Sequence, residues 1–546
     1  MKNDPNSTGG WQRQLVFDGT ASPVKTALFL IICCAWVLPG LIGHDPWKPD
    51  EAIAFGVIYS MVHDGHWLAP MIGGLPSHEY SPLYYWSAAL VAKLLSPVLE
   101  LHNGARLTTG LYMAAAIYFT HKTAMRLLDE RAGRVSVLLL IGCLGLLERG
   151  HLINPEVAAL TGLTVALYGM TRMRSEAWRG GRTVGIGAGV IALSIGVIPA
   201  LMVPVTALVL MVALGETSNR TFRRGILYSL AVLLPFCVAF PLALGSAFND
   251  GKWLRALLGI PVAGIDPTYF VRAISWQGLP ALPFALWLWW HDRAKLRERF
   301  ELALPLVAFA VLLVSFSLFR EARSGNTLLF LPPLALAAAH TLDRLPRGLA
   351  SFMDAFSLFL FGLLAIAGWL YWIAAVTGMP ASAAHAIAMK VPDFDFKVQW
   401  PAVAVSAFMT LIWLYAVVLA HRNNRRAIVN WVSGITLIWV MLMLLGLPAL
   451  DHILSYRQVA QTVAARIDNH SGCIASKDIG DPQRASFDYF TELHFSPPGA
   501  DPKVPCRWML TQGNRDYAPP ISADWQLVWE GARPGDRVER FRLYQR

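Results

Sequence analysis

The sequence predicts a polytopic α-helical membrane protein of about thirteen transmembrane helices, followed by a small C-terminal α/β domain. Three observations predict it. Hydrophobic residues make up 55% of the 546-residue chain and charged residues only 15%, too few charges for a large soluble surface. Apolar runs recur from residue 26 almost to residue 450, each close to the roughly 20 residues that cross a bilayer as a helix. Arg and Lys cluster in short loops between those runs, the footprint of the positive-inside rule. That distribution also argues against nucleic acid as the partner of a chain whose net charge is +10.

Taken in order, the chain is polar up to Pro23, and its first apolar run, 26–43, lacks a small-x-small cleavage site. It reads as a retained first span rather than a removed signal peptide. The loops 121–134, 172–182, 220–224, 291–299, 343–347 and 421–426 are rich in Arg or Lys. Placing each in the cytoplasm forces two crossings between successive loops. The stretches 135–149 and 154–171, 183–198 and 199–215, 226–247 and 273–290, 302–319 and 327–342, and 351–377 and 401–420 supply them. With 26–43 and 106–126 before these and 427–448 after, the N-terminus is cytoplasmic and the C-terminus exoplasmic.

One apolar stretch does not fit as a span. Residues 81–97 are short, rich in Tyr and Trp and carry Lys93, which suits a helix lying in the interface. Residues 44–105 then form one long exoplasmic segment, and loops of that length usually carry function. From residue 451 the chain changes character. Residues 455–468 read as an amphipathic helix, and CIASK, CRWMLTQ, WQLVWEG and RFRLYQR as short strands between Asp, Pro and Gly turns. The division expected is 1–450 for the membrane domain and 451–546 for the α/β domain. Cys33, Cys34, Cys143 and Cys237 lie in apolar runs as packing residues, whereas Cys473 and Cys506 lie in the polar tail and can form a disulfide if that tail is outside the cytoplasm.

Four constellations carry possible chemistry. In KPDEAIAFG, Asp50 and Glu51 follow the first span. Adjacent carboxylates point to different faces of a helix, so at most one aims inward, as a general base at a low-dielectric rim; the other reading is a solvated helix N-terminus. In GHWLAPMIGGLPSHEYSPLYYW, His78 and Glu79, with His63 or His66, offer metal-binding groups without the helical spacing of a metal motif. The plainer reading is polar loop residues, and no cofactor is expected. In ERGHLINPEVAALTG, Glu148, Arg149, His151 and Glu156 are costly near hydrocarbon unless paired or facing water, though Glu156 also reads as a helix cap. In FREARSGN, Arg320 and Arg323 stand on the exoplasmic side against the usual charge bias. Two guanidiniums there suit a phosphate, with Lys252, Arg255 and Arg272 able to join them, or lipid headgroups.

KPDEAIAFG, the G-x-W-x-x-P stretch, the segment through SPLYYW and ARLTTGLYM occur in the order seen in a known family. The chain resembles the GT-C glycosyltransferases of the protein O-mannosyltransferase and lipid A aminoarabinose transferase group. The resemblance covers the first ~170 residues well and the rest mainly in topology. The closing RPGDRVERFRLYQR also looks like the tail of bacterial members. The resemblance implies a GT-C-like fold in the bacterial inner membrane, with the C-terminus periplasmic. It implies inverting transfer of a sugar from a polyprenyl-phosphate carrier to lipid A, a glycan or a protein.

In that reading Asp50 matches the catalytic aspartate, Glu156 the second-loop acid (with Asn154 as a rival alignment), and Arg320 and Arg323 the basic pair that holds the leaving phosphate. Glu51, His78, Glu79 and Tyr80 would face substrate. The chain departs from the family at three places: Tyr80 and Ser81 replace a Lys-Pro, Ile53 a basic residue, and Ile195 the Lys of a Lys-Gly pair. Each removes a positive charge that could contact phosphate. Two alternatives remain at this point: a transporter or flippase of a lipid-linked substrate, which favours midplane charges and repeated halves absent here, and a divergent member that binds the carrier without transfer.

Overall fold

The computed structural model describes residues 23–77, 82–244, 255, 257–260, 265–344, 346–419, 426–467, 474–491, 493, 495–496 and 506–546. Among the described residues, each of the predicted apolar stretches falls largely on helix, and five helices are long and apolar enough to cross a bilayer: Arg220–Ala239, Phe300–Phe319, Gly348–Thr377, Trp400–Val418 and Arg426–Leu454. Thr26–Val37 and Val197–Ala213 are shorter apolar helices.

Some predicted stretches fall short of a continuous span because they break. The run 273–290 is two helices, Tyr269–Gln277 and Ala281–Asp292. Pro280 lacks an N–H and disfavours helix in the residue before it. The run 135–149 breaks as well, into Glu130–Ile141 and Leu144–Leu147. The two breaks meet, since the Leu144 N–H donates to the Leu279 carbonyl at 3.0 Å. Interrupted helices are tolerated in a membrane when a neighbour re-satisfies the freed backbone in this way. A π-helical turn, Leu442–Gly446, similarly joins Arg426–Met441 to Leu447–Leu454 ahead of Pro448.

The stretch 81–97, expected as a helix lying in the interface, contains the helix Pro82–Leu95. It buries Tyr84, Tyr85 and Ala88 against the helices Asp50–His63 and Leu101–Leu127, and leaves Leu90 and Leu94 exposed. Together with Pro23–Val37 it borders an apolar groove of about 730 Å³, floored by Leu107, Leu111 and Tyr118 of Leu101–Leu127. A short hairpin, Met71–Ile72 with Leu75–Pro76, was not anticipated from sequence.

The C-terminal sheet domain holds a five-stranded mixed sheet. Its spatial order is Phe495–Ser496, Ile474–Lys477, Trp508–Asn514, Glu539–Gln545, Gln526–Gly531. The first three are parallel and the last two pairings antiparallel. The four predicted strands are all present; the helix Asp481–Thr491, which makes the parallel crossover, was not anticipated. The amphipathic helix is Arg457–Ala464. Phe487, Leu510, Phe541 and Leu543 fill the core beneath the sheet. The helix Asp481–Thr491 in turn packs on Asp50–His63, so the domain sits directly behind that helix.

Candidate active site

The first turn of the helix Asp50–His63 places two acids where its dipole favours negative charge. Consecutive helical residues are about 100° apart around the axis, so their side chains diverge. Asp50 is 67% exposed, whereas Glu51 is 1% exposed. The inward-facing member of the pair is therefore Glu51. Its carboxylate accepts from Arg106 Nε at 2.7 Å and from the backbone N–H groups of Trp47 at 2.9 Å and Ile153 at 3.0 Å. Burial, the largest influence, raises its pKa, but the Arg106 guanidinium, His44 and the Trp47 N–H together outweigh it and hold the carboxyl below the usual carboxylate range.

Asp50, on the open side, accepts from Arg149 Nη1 at 3.0 Å. Arg149 belongs to the loop between the helices Leu144–Leu147 and Glu156–Met173, and the rest of that loop is tied to the same frame. The Thr109 hydroxyl donates to the Leu152 carbonyl at 2.9 Å. This leaves the Tyr84 hydroxyl to donate to Thr109 at 2.7 Å while accepting from the Asn154 N–H at 3.1 Å. The Asn154 side chain then accepts the Glu156 N–H at 3.1 Å. Asn154 is thus used up in holding the loop, and Glu156 opens the next helix with its carboxylate directed elsewhere.

That carboxylate lies against Gly325. A Cβ built on residue 325 would stand 2.6 Å from Glu156 Oε1, so glycine is what lets the acid approach this turn. The neighbouring Asn326, 1% exposed, accepts from Arg320 Nε at 3.3 Å and Nη2 at 3.2 Å. Arg320 Nη1 donates to the Gly259 carbonyl at 3.3 Å. Gly259 also abuts the Ile195 carbonyl, so the position where the resembled family carries lysine borders Arg320. Arg323 is about half exposed and lies 3.7 Å from Glu321.

The structure therefore brings Asp50, Glu51 and Arg149 together on one side, and Glu156 and Arg320 around one turn on the other, joined by the loop 148–156. His78, Glu79 and Tyr80, and likewise Lys252, lie outside the described residues. Arg272 instead pairs with Asp266. Among the described residues no group of three or more His, Cys, Asp or Glu could hold a metal. His63 pairs with Asp64 at 2.8 Å, and His66 hydrogen-bonds the Ser60 hydroxyl at 3.0 Å. Cys506 is disulfide-bonded; Cys473 lies outside the described residues, and Cys33, Cys34, Cys143 and Cys237 are free. Cys34 is exposed and lines the apolar groove rather than packing inside. Sequence reading named Arg149 as a charge in need of a partner, but missed Arg106 and Tyr84 as members of the site. Arg106 stands in the quoted ARLTTGLYM and Tyr84 in SPLYYW, so the motif order was the signal available.

Residues 79–244 match the sequence model of the dolichyl-phosphate-mannose-protein mannosyltransferase family. A 171-residue segment is 27% identical to an undecaprenyl phosphate-alpha-4-amino-4-deoxy-L-arabinose arabinosyl transferase of Pseudomonas savastanoi pv. phaseolicola. That segment spans 30% of this chain and 30% of the relative's length. The fold aligns with the crystal structure of ArnT from Cupriavidus metallidurans bound to undecaprenyl phosphate. The TM-score is 0.69 at 18% identity, over 95% of this chain and 98% of that one. The apo structure of the same protein aligns equally well, with a TM-score of 0.69. The chain is thus a multi-pass membrane protein similar to the mannosyltransferase and aminoarabinose transferase group of GT-C glycosyltransferases, in sequence over residues 79–244 and in fold along nearly its whole length.

Proposed function

We propose that this protein is a glycosyltransferase that moves a sugar from a polyprenyl-phosphate donor to an acceptor at the periplasmic face of the bacterial inner membrane. Residues 1–450 form the thirteen-span catalytic domain, with a cytoplasmic N-terminus, and residues 451–546 the periplasmic domain. The acceptor is a lipid A, glycan or protein hydroxyl or amine. The observation that carries the reading is the connected frame between Asp50 and Arg320. The exposed Asp50 is tied through Arg149 to a loop that ends at Glu156, and Glu156 shares a turn with the arginine. A base and a phosphate-binding cation are thereby joined through a chain of hydrogen bonds and one close packing contact.

The chemistry follows from that arrangement. Asp50 accepts the proton of the acceptor as its heteroatom attacks the anomeric carbon. The bond between that carbon and the phosphate oxygen breaks on the opposite side, inverting the configuration. The carrier phosphate gains negative charge as it leaves, and Arg320 with Arg323 stabilises that charge, where such a site gains most. Arg149 orients the base. Glu156 beside the phosphate turn positions the donor or acceptor amid these cations. Glu51 is 1% exposed and spends three accepted hydrogen bonds on Arg106, Trp47 and Ile153, and it serves to hold the segment from Trp47 to Asp50. The apolar groove beside the helix Pro82–Leu95 offers a place for the acyl or prenyl chain of a lipid-borne reactant.

The test is reconstitution in vesicles with a labelled polyprenyl-phosphate sugar. Wild-type protein transfers the label to envelope acceptor, and Asp50→Asn abolishes transfer while remaining folded. Movement of the donor between leaflets without transfer would replace this reading with a flippase, and binding alone would replace it with a non-catalytic carrier protein.

A further inference from the structure

The segment immediately before Asp50 is held from behind by the C-terminal domain. Asp45, 5% exposed, receives Arg457 through Nε at 2.8 Å, with Nη2 on its second oxygen, and accepts the Ser455 hydroxyl at 2.6 Å. Its own N–H donates to Asp451 Oδ1 at 2.8 Å, and the same oxygen accepts Trp47 Nε1 at 3.0 Å. One residue further on, Lys48 reaches Asp536 at 3.3 Å. Asp536 is in turn gripped by Arg533, whose Nη1 donates to the Ile453 carbonyl at 2.6 Å. Of the four residues from Asp45 to Lys48, three, Asp45, Trp47 and Lys48, are thus fastened to groups more than 400 positions away.

The helix that carries Asp50 is fixed from the same side. A Cβ built on Gly56 would stand 2.5 Å from the Ala485 Cβ, so the two helices touch almost backbone to side chain. Tyr489 packs edge-on against Phe55, with ring centroids 4.7 Å apart, and hydrogen-bonds His102 at 3.0 Å. The Arg457 guanidinium stacks over Phe490 at 4.5 Å, which sets the plane of its fork toward Asp45.

We infer that Arg457 is a positioning residue for the transfer reaction: through its forked pair with Asp45, the C-terminal domain sets where Asp50 stands. Arg457 touches no reactant. It acts through the five-residue step from Asp45 to Asp50, which Asp451, Asp536 and the Glu51 carboxylate on the Trp47 N–H also fasten. The domain is accordingly part of the catalytic geometry rather than a lid or a passive cap. The inference rests on the reading of Asp50 as base given above.

The experiment compares wild type, Arg457→Gln, Arg457→Lys, Asp45→Asn and the Asp45→Asn/Arg457→Gln pair in vesicles, with kinetics and hydrogen exchange on each full-length protein. Arg457→Gln lowers kcat at least tenfold at unchanged KM for the polyprenyl-phosphate sugar. Arg457→Lys, which keeps the charge without the fork, recovers part of the loss. The double variant is no worse than either single one, as two partners in one interaction require. Amide exchange rises tenfold or more in residues 45–51, while the strands Trp508–Asn514 and Glu539–Gln545 keep their protection. Unchanged kcat, a loss confined to KM, or exchange that rises equally across the whole C-terminal domain would overturn the inference. If wild-type protein transfers no sugar, the functional reading fails on its own. The exchange pattern then still decides whether Arg457 holds the segment bearing Asp50.

Discussion

Glu51 and Arg106 form an ion pair at 2.7 Å from which solvent is almost wholly excluded, the side chains being 1% and 0% exposed. It links the start of the helix Asp50–His63 to the start of the helix Leu101–Leu127, and through Ile153 to the loop that ends at Glu156. Removing one partner strands the other as a buried, unpaired charge, which costs about 3–5 kcal/mol. Arg106→Met is therefore expected to lower the thermal midpoint in detergent sharply. Glu51→Leu/Arg106→Met should lose less than the two single changes added together. Additive losses would show that the two residues act separately.

The same pair predicts a pH dependence. Burial raises the pKa of Glu51, and Arg106, with His44 and the Trp47 N–H, more than reverses this; burial likewise raises Asp45, and Arg457 with Ser455 brings it down. Both folded-state values lie below the ordinary 4.5 of glutamate and 3.8 of aspartate. A depressed carboxylate contributes stability that is full above its unfolded value and is lost as pH falls through the folded one. Stability should hold from neutrality to about pH 4.5 and then decline, as far as these two groups contribute. Melting curves across that range check the sign: in Asp45→Asn the acid-side decline should be shallower, and an equally steep one would remove Asp45 from the account.

Tyr84 supplies the next expectation. Among the described residues, its hydroxyl is the group that accepts the Asn154 N–H, deep in the fold. Tyr84→Phe keeps the ring and the packing but leaves that donor unpaired, at about 1–3 kcal/mol. The loop 148–156 should loosen with it. Thermal unfolding reads the first effect, and faster amide exchange at 152–156 the second. Retained protection there would mean that Thr109 and Glu51 suffice to hold the loop.

How much of this was legible beforehand depends on the range of the interaction concerned. The helical stretches were readable because apolar length and loop charge are local properties, and the helix Pro82–Leu95 stood apart by its Tyr, Trp and Lys93. The breaks at Gly142 and Pro280 were not, because only the partner across the break makes an interrupted helix tolerable. The same limit applies at the site. Asp50, Glu51, Arg320 and Arg323 were visible as charges in unusual places. Which of the two acids faces inward depended on Arg106, 55 positions away. The grip of Arg457 on Asp45 spans 412 positions and no local pattern announces it. His78, Glu79 and Tyr80 retain the standing the motif order gives them.

The contact between Glu156 and Gly325 gives the sharpest test of the far side of the site. A methyl group at 325 would sit 2.6 Å from one carboxylate oxygen and 2.8 Å from the carboxyl carbon, too close for either to stay. Gly325→Ala must therefore push Glu156 back or shift the turn that presents Asn326 to Arg320. A displacement of about 1 Å in a reacting frame can cost on the order of 100-fold in rate. Transfer should fall about 10- to 100-fold with the protein still folded. Glu156→Asp shortens the acid by one methylene and relieves the clash, so the double variant should recover activity relative to Gly325→Ala alone. If Glu156→Asp instead deepens the defect, the acid's own reach, rather than the turn it leans on, is what the reaction requires.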